Sequence, residues 1–415
     1  MPEAVNYIVY SIPVFFLLIG VEILIDKLKN TGYYRLNDAL SNIQAGITEQ
    51  VTGAFLKTFV VGAYAWLFDH WRLFEMPATP VMWVILFIGV DFFYYWFHRL
   101  AHEINVLWGG HVVHHQSEEY NLSVALRQGA FQKFGSFLFY LPLAFIGFNP
   151  VMFIVVSQFQ TLYQFWIHTK TINRLPAPLE FVLNTPSHHR VHHGRNPKYI
   201  DRNHGGTLII WDRLFGTFQA EEEEVVYGIT KPLRTWNPLR VQLDFWKDLW
   251  MDLRRMPTWK DKIKLLILPP GWMPQTLGGP QLPPEIKPTE QKKYDTHISV
   301  QLNYYVFVQF VCVLAITSYF LFSFDTMSSA VQLILLAYIL IAITAIGLIL
   351  EGHKRAAAIE MFRLLLTVSA YLILRGDDAL KPEWLGMTIA VILYALLSWL
   401  LFVHYNKKQD IHGAI

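Results

Sequence analysis

The sequence predicts an all-α fold: a multi-pass transmembrane helical bundle with a cytoplasmic, histidine-rich metal-binding cap. Three observations predict it. Hydrophobic residues make up 53% of the 415-residue chain and charged residues only 16%, against about 25% charged in soluble domains. Apolar runs long enough to cross a hydrocarbon core recur in both halves of the chain. Ten of the sixteen histidines fall between residues 98 and 193, at helical spacings. The competing reading, a large soluble enzyme, needs a charged surface that this composition does not supply.

The net charge of +2 gives no field that would draw nucleic acid, which is not an expected partner. A single cysteine, Cys312, excludes an internal disulfide and a cysteine-based metal cage. It falls in an apolar run, where a buried, inert thiol is expected. The first apolar stretch is followed by Asp26, Lys27 and Lys29 rather than small residues. It therefore reads as a retained span, not a cleaved signal.

A crossing helix needs roughly 17–25 apolar residues. Tyr7 to Ile25, Val51 to Phe68 and Pro80 to Phe97 meet that need in the first half. Phe134 to Phe148 and Pro150 to Trp166 are broken by Gly147, Asn149 and Pro150. They read as a hairpin of two short arms, which leaves open whether it reaches the far side. Residues 168 to 300 are too polar to span, and their prolines cluster between Pro257 and Pro288. Tyr304 to Phe324, Ser328 to Leu350, Ala357 to Leu374 and Trp384 to His404 close the chain. The expected organisation is N-terminal spans (1–79), a catalytic region (80–245), a Pro-rich cytoplasmic linker (246–300) and a C-terminal four-helix membrane region (301–415). The last carries no clustered ligands and is expected to be a lipid-facing or oligomerising module.

Basic residues at span ends orient the bundle, because cytoplasmic loops carry an excess of Lys and Arg. Lys27, Lys29 and Arg35, then Arg99, then Lys170 and Arg174, then Lys354 and Arg355, and finally Lys407 and Lys408 all fall on one side. The N-terminus is then outside and every histidine motif faces the cytoplasm. In a eukaryote that implies the endoplasmic reticulum, in a bacterium the inner membrane.

The histidines follow a pattern. His98 and His102 lie four apart, one turn and about 6 Å along a helix. His111, His114 and His115 give spacings of three and four, and His189, His192 and His193 repeat them after Thr185-Pro186, a helix-start signature. Neutral imidazole is a good ligand for iron, zinc, copper or nickel. A lone histidine is usually a surface or hydrogen-bonded residue, and His70, His297, His353, His404 and His412 are read that way; His204, in Asn203-His204-Gly205-Gly206, is given a loop role. One catalytic zinc needs only three protein ligands, so eight clustered imidazoles point to two metals. Asp91, one or two turns above His98 in an apolar span, is a functional candidate by position. Its expected partners are Arg99 or an imidazole N–H, and the bland alternative is a helix-packing hydrogen bond.

These motifs resemble those of the fatty acid hydroxylase and sterol desaturase superfamily, whose members carry HxxxH, HxxHH and HxxHH boxes. Longer words sharpen the resemblance. His98 to His102 is followed by Glu103, and Gly110 leads into His111–His115. Tyr120-Asn121-Leu122-Ser123, Trp166-Ile167-His168-Thr169 and Asn184-Thr185-Pro186-Ser187 follow, then Gly194-Arg195-Asn196, Leu208-Ile209-Ile210-Trp211-Asp212 and Phe215-Gly216-Thr217-Phe218. They resemble the branch that cleaves the ether bond of alkylglycerols, most closely over residues 80 to 240.

Carried over by motif, the resemblance implies His98, His102, His111, His114, His115, His189, His192 and His193 as metal ligands. His168, at the mouth of the hairpin, is the expected ninth. His188 is placed in the metal set as well, although a helix that aims His189, His192 and His193 at one point turns it about 100° aside. Glu103 and Asp91 are given catalytic parts, Glu103 as a ligand or as the carboxylate that orients one. The resemblance further implies two iron ions (with zinc as a substitute), dioxygen, an electron donor (tetrahydrobiopterin in that branch) and a lipid substrate drawn from the bilayer. Hydroxylation beside the ether oxygen would release a fatty aldehyde and a glycerol derivative. The alternatives are a sterol, fatty-acid or carotenoid hydroxylase or desaturase, and a non-catalytic metal-binding or transport protein. A transporter is expected to place ionisable groups deep in its spans, whereas these histidines lie at span ends.

Overall fold

The computed structural model describes residues 7–412, the side chains of residues 9 and 407–412 excepted. Lys407, Lys408 and His412 are therefore outside the described side chains. The described residues are helical, with two isolated bridges, Leu183 to Leu208 and Gly194 to Tyr227, in place of a sheet. In chain order the helices are α1 (Tyr7–Lys29), α2 (Leu36–Trp71), α3 (Pro80–Glu103), α4 (Asn105–His115), α5 (Leu122–Ala125), α6 (Gln132–Ile146), α7 (Pro150–Trp166), α8 (Ala177–Val182), α9 (Pro186–His192), α10 (Ile210–Phe215), α11 (Pro238–Arg255) and α12 (Trp259–Ile267). Then follow α13 (Val300–Ser323), α14 (Ser329–Leu350), α15 (Ala356–Arg375) and α16 (Pro382–His412).

Among the described residues, six segments are long and apolar enough to cross a membrane: α2, α3, and the stretches Val300–Thr326, Ser329–Leu350, Ala356–Leu380 and Pro382–Asn406. The protein is a multi-pass membrane protein. The chain divides into two compact units, one of residues 1–49, 53–233 and 242–293, the other of residues 50–52, 234–241 and 294–415.

In the first unit α3 is the axis, packed against α4, α6 and α7. Thr79 caps it, accepting from the Met82 N–H, and Pro80 sits at its first turn, where no N–H is needed. Leu86 and Val90 on its buried face pack with Leu143 and Met152. The hairpin arms α6 and α7 are only 15 and 17 residues long, as their breakers Gly147 and Pro150 require. Gly147 adopts φ 118°, a conformation open to glycine.

One element differs from expectation. The second helix begins at Leu36, fifteen residues before the expected span at Val51. Its first half is buried yet polar, with Asp38, Ser41, Asn42, Gln44 and Glu49 inside. Its apolar residues, Leu40, Ile43 and Ile47, recur at helical spacing and are buried, but they are too few to read as a span, and tertiary partners satisfy the polar residues between them. Asp38 accepts from Ser117 Oγ at 2.8 Å, and Arg127 donates to Ser41 Oγ and Asn42 Oδ1 at 3.2 and 3.1 Å. Similarly, Glu22 near the end of α1 is buried and accepts from Tyr34, Thr169 and the Leu122 N–H. The inner ends of the first two helices therefore form a polar cradle for the histidine segment.

In the second unit α13 to α16 pack pairwise around a buried ion pair. Arg363 grips Glu360 with Nε at 2.8 Å and Nη2 at 2.6 Å, and its Nη2 also reaches Gln309 Oε1 at 2.8 Å. Tyr305 donates to Glu360, and Tyr394 to Gln309. Every charged atom is paired, the condition for an ion pair inside a membrane bundle.

Candidate metal centre

The histidine spacings explain how the site is assembled. In a helix, residues i and i+4 share a face, while i+3 turns about 60° to the other side of i. An HxxHH box can thus aim its outer pair one way and its middle histidine another. Two groups result: His98, His102, His111, His115 and His192 form the first, and His114, His168, His189 and His193 the second. All are buried, and within each group the ligand atoms lie within 4.8 Å of one another. The box on α4 gives its outer pair, His111 and His115, to the first group and His114 to the second. The box on α9 does the reverse, giving His189 and His193 to the second and His192 to the first. His98 and His102, on the last two turns of α3, complete one group. His168, just past the end of α7, completes the other. The groups abut, His115 stacking on His193 with ring centroids 4.4 Å apart.

Five of the rings are oriented from behind. Nδ1 of His98 donates to the His204 carbonyl at 2.8 Å, that of His114 to Arg127 O at 2.8 Å, and that of His168 to Gln164 O at 2.7 Å. His111 Nδ1 donates to Gln132 Oε1 at 2.9 Å, and His192 Nδ1 to Arg202 O at 3.0 Å. With the ring proton on Nδ1, Nε2 is a bare lone pair aimed inward. Such nitrogens face each other at 2.9 Å between His98 and His111, at 3.1 Å between His114 and His168, and at 3.0 Å between His168 and His189. Nε2 of His102, His192 and His193 and Nδ1 of His189 are buried with no hydrogen-bond partner. Opposed lone pairs and orphaned nitrogens are costly in a dry interior. A cation removes the conflict, since two metal–nitrogen bonds of about 2.1 Å at near right angles span about 3.0 Å. The nine imidazoles fit a metal.

Their protonation agrees. Burial, followed by repulsion from neighbouring imidazoles, holds His114, His115, His189, His192 and His193 well below the usual histidine range. Burial holds His111 and His168 down to about 4. At neutral pH these rings are uncharged and ready to bind metal.

Aromatic side chains wall the groups. Tyr94 tilts over His98, Trp108 stands by His102 and His115, and Tyr120 lies against His168 and His193.

Three sequence expectations need correction. His188 points away from the metal groups: its Nε2 meets Glu180 Oε2 at 3.0 Å and its Nδ1 the Leu183 carbonyl at 3.2 Å. The 100° turn on α9 puts it on the outer face. Glu103 touches no histidine either. Its carboxylate takes Arg99 Nε at 2.9 Å, one turn back along α3, on the partly exposed side. Asp91 pairs with neither Arg99 nor an imidazole. It accepts from the backbone N–H of Thr207 at 2.7 Å and of Leu208 at 3.1 Å, from Trp211 Nε1 at 2.9 Å, and from Gln160. The intramembrane acid is a clamp that ties span α3 to α7 and to the loop before α10.

That loop and the start of α10 hold residues to which the sequence reading gave no site role. Asp212 accepts from the N–H groups of His204 and Gly205, both at 2.7 Å, fixing the carbonyl that orients His98. The backbone of His204 thus orients a ring of the first group. Its side chain is fully buried, with both ring nitrogens unpartnered and the ring 5.1 Å from that of His102. Asp201, not Glu103, is the acid beside the cage, 3.5 Å from His102 Nδ1. Arg127 was also missed. It donates to Val113 O at 2.7 Å and Gln116 Oε1 at 2.7 Å while its own carbonyl holds His114. Burial lowers it to about 10, which leaves it charged at neutral pH. None of these residues sits at a diagnostic spacing.

Spanning helices that end in two adjoining, walled imidazole groups define a membrane protein with a candidate metal centre. A fatty acid hydroxylase family model matches residues 83–217, and a model of the alkylglycerol monooxygenase C-terminal domain matches residues 302–388. The chain is 42% identical to alkylglycerol monooxygenase of Xenopus tropicalis over 87% of its length and 81% of that protein's. It is 40% identical to the Homo sapiens protein of that name, covering 89% of the chain and 84% of the relative. With the Danio rerio protein the figures are 38%, 98% and 91%. The chain belongs to the alkylglycerol monooxygenase family. No solved structure matches it.

Proposed function

We propose that this protein is a monooxygenase that cleaves the ether bond of alkylglycerols, with two iron ions held by the nine imidazoles. The observation that carries this reading is the partition of the boxes into two adjoining groups, five and four imidazoles strong, in a chain alike to alkylglycerol monooxygenases over nearly its whole length. Iron bound there would supply dioxygen activation and hydrogen abstraction from carbon. One oxygen atom goes to the carbon beside the ether oxygen and the other to water, which takes two electrons from a donor. Tetrahydrobiopterin is the donor we assign, on family grounds. The hydroxylated carbon is a hemiacetal, which breaks down to a fatty aldehyde and a glycerol derivative.

The chain's own residues do the rest. His98 and His102 belong to the last turns of a spanning helix, so a lipid can meet the cage without entering bulk water. Tyr94, Trp108 and Tyr120 exclude water around it, and the Nδ1 bonds hold His98, His111, His114, His168 and His192 in place. We assign the cage to the cytoplasmic side, from the basic residues at Lys27, Lys29, Lys170 and Arg174. Glu103 is proposed to act at a distance, by holding Arg99 against Tyr95.

Membranes containing the protein, supplied with a labelled alkylglycerol, should release labelled fatty aldehyde only when tetrahydrobiopterin is present. A hydroxylated sterol or fatty acid, with no aldehyde from the ether lipid, would instead favour the sterol and fatty-acid reading.

A further inference from the structure

Helices α11 and α12 were expected to open a cytoplasmic linker, yet their faces are sorted as if a surface lay against them. In α11 one sector is buried, with Leu249 at its centre beside Phe245 and Trp246. A second sector carries Asp244, Asp248 and Asp252. The third holds Leu243, Trp250 and Met251, all exposed, with Lys247 and Arg254 on the same stripe. In α12 the pattern is sharper. Trp259, Ile263 and Ile267, at i, i+4 and i+8, form one continuous stripe, 78%, 57% and 53% exposed. Lys260 and Lys264 flank it on one side and Lys262 on the other, Lys262 lying over the Trp259 ring at 4.5 Å. A solvated helix has no reason to turn a tryptophan and two isoleucines outward in register between lysines.

The depth of this surface is fixed by the chain. Span α3 ends at Glu103, and two residues later Asn105 binds α12 twice. Its N–H donates to Leu268 O at 3.1 Å and its Nδ2 to Leu265 O at 2.9 Å. The end of α12 is therefore pinned where the chain leaves the hydrocarbon. Between Trp250 and Leu268, five basic residues (Arg254, Arg255, Lys260, Lys262, Lys264) stand against two acids (Asp252, Asp261).

We propose that α11 and α12 lie on the membrane as an interfacial anchor, their apolar stripe entering the headgroup layer and their lysines binding anionic phospholipid. An outward apolar stripe, tryptophans, flanking lysines on long stems and an acidic sector set apart from the stripe are the features of a helix lying in the interface plane. The anchor bears directly on the metal centre. Phe245 and Trp246 pack so closely on Gly109 of α4 that an added Cβ would lie 2.7 Å from the Phe245 ring. α4 carries His111, His114 and His115, so the membrane surface braces one wall of the cage.

The test uses the full chain in lipid nanodiscs, with Cys312→Ser removing the native thiol and Ile263→Cys carrying an environment-sensitive fluorophore. A label at Asp248→Cys, on the acidic sector, is the reference. The proposal predicts that brominated acyl chains quench the label at 263 several-fold more than at 248, more so in discs containing phosphatidylserine. Lys260→Glu with Lys264→Glu should remove that anionic increment and leave quenching in neutral discs unchanged. Ile267→Cys repeats the measurement should position 263 fold poorly. Equal access of aqueous iodide to 263 and 248 in both lipids would overturn the proposal. Protection from iodide without quenching by brominated lipid would overturn it too, since a protein would then cover the stripe.

Discussion

Nine imidazoles packed in a dry space without charge are unstable neighbours, and their protonation carries a signature. The unfolded chain protonates its histidines at about 6.5, whereas burial holds His111 and His168 to about 4 in the folded state. Between those values the unfolded state binds protons that the native state does not. Stability of the metal-free protein is therefore complete above about 6.5 and is lost as pH falls toward 4. Thermal unfolding of chelator-treated protein across that window checks this, and a flat profile would contradict it. Substitution separates cage from periphery. Replacing any of the nine with alanine should abolish turnover, while His188→Ala, which breaks contacts to Glu180, Leu183, Thr185 and Phe218 but none within the cage, should cost at most the 10–100-fold typical of outer residues. His204→Ala should also impair turnover, because its ring lies against His98, His102 and His192. The cage was legible in the sequence because i, i+3 and i+4 spacings are set by the helix itself. His204 and Asp201 were not, because only the folding of one loop brings them near His102. The acid at Asp91 shows the same limit: its burial was foreseeable, but the donors at Thr207, Leu208 and Trp211 come from more than a hundred residues away.

Helices place the rings, and contacts between helices place the helices. Arg127 ties the polar half of α2 to Val113 and Gln116, and its carbonyl fixes His114. This arrangement needs a close approach at Gly46, where an added Cβ would fall within van der Waals distance of the Leu126 carbonyl oxygen. Gly46→Ala should push residues 126 and 127 outward, lowering both thermal stability and metal content. Gly62→Ala, on the same helix with nothing within 4 Å of its Cβ, should change neither, and equal effects would refute the account. The extended α2 was illegible for a physical reason. Hydropathy detects helices that face lipid, but residues 36–50 alternate the buried apolar Leu40, Ile43 and Ile47 with polar residues held by buried hydrogen-bond partners, so their mean hydropathy stays low. Likewise Asp91→Asn sets an amide N–H against donors that need an acceptor, and should cost about 1–3 kcal/mol of stability, read as a lower melting temperature.

Taken as a whole, the molecule joins a lipid-embedded scaffold to a site at the ends of its spans. Composition and run length made the membrane class readable from sequence, since a bilayer imposes the same 20-residue apolar helix on any chain. We assign the site's side from the basic residues, and cysteine labelling tests that assignment. A cysteine at 197 or 290 should escape an impermeant reagent applied to intact cells, and labelling there would reverse the topology. The central claim is that the boxes build two metal positions rather than one. Metal analysis of the purified, loaded protein tests it most directly. Two metals per chain are expected in the native protein. About one is expected in His168→Ala, since His168 serves only the second group. A single tightly bound metal in the fully loaded native protein, unchanged by His168→Ala, would contradict the account.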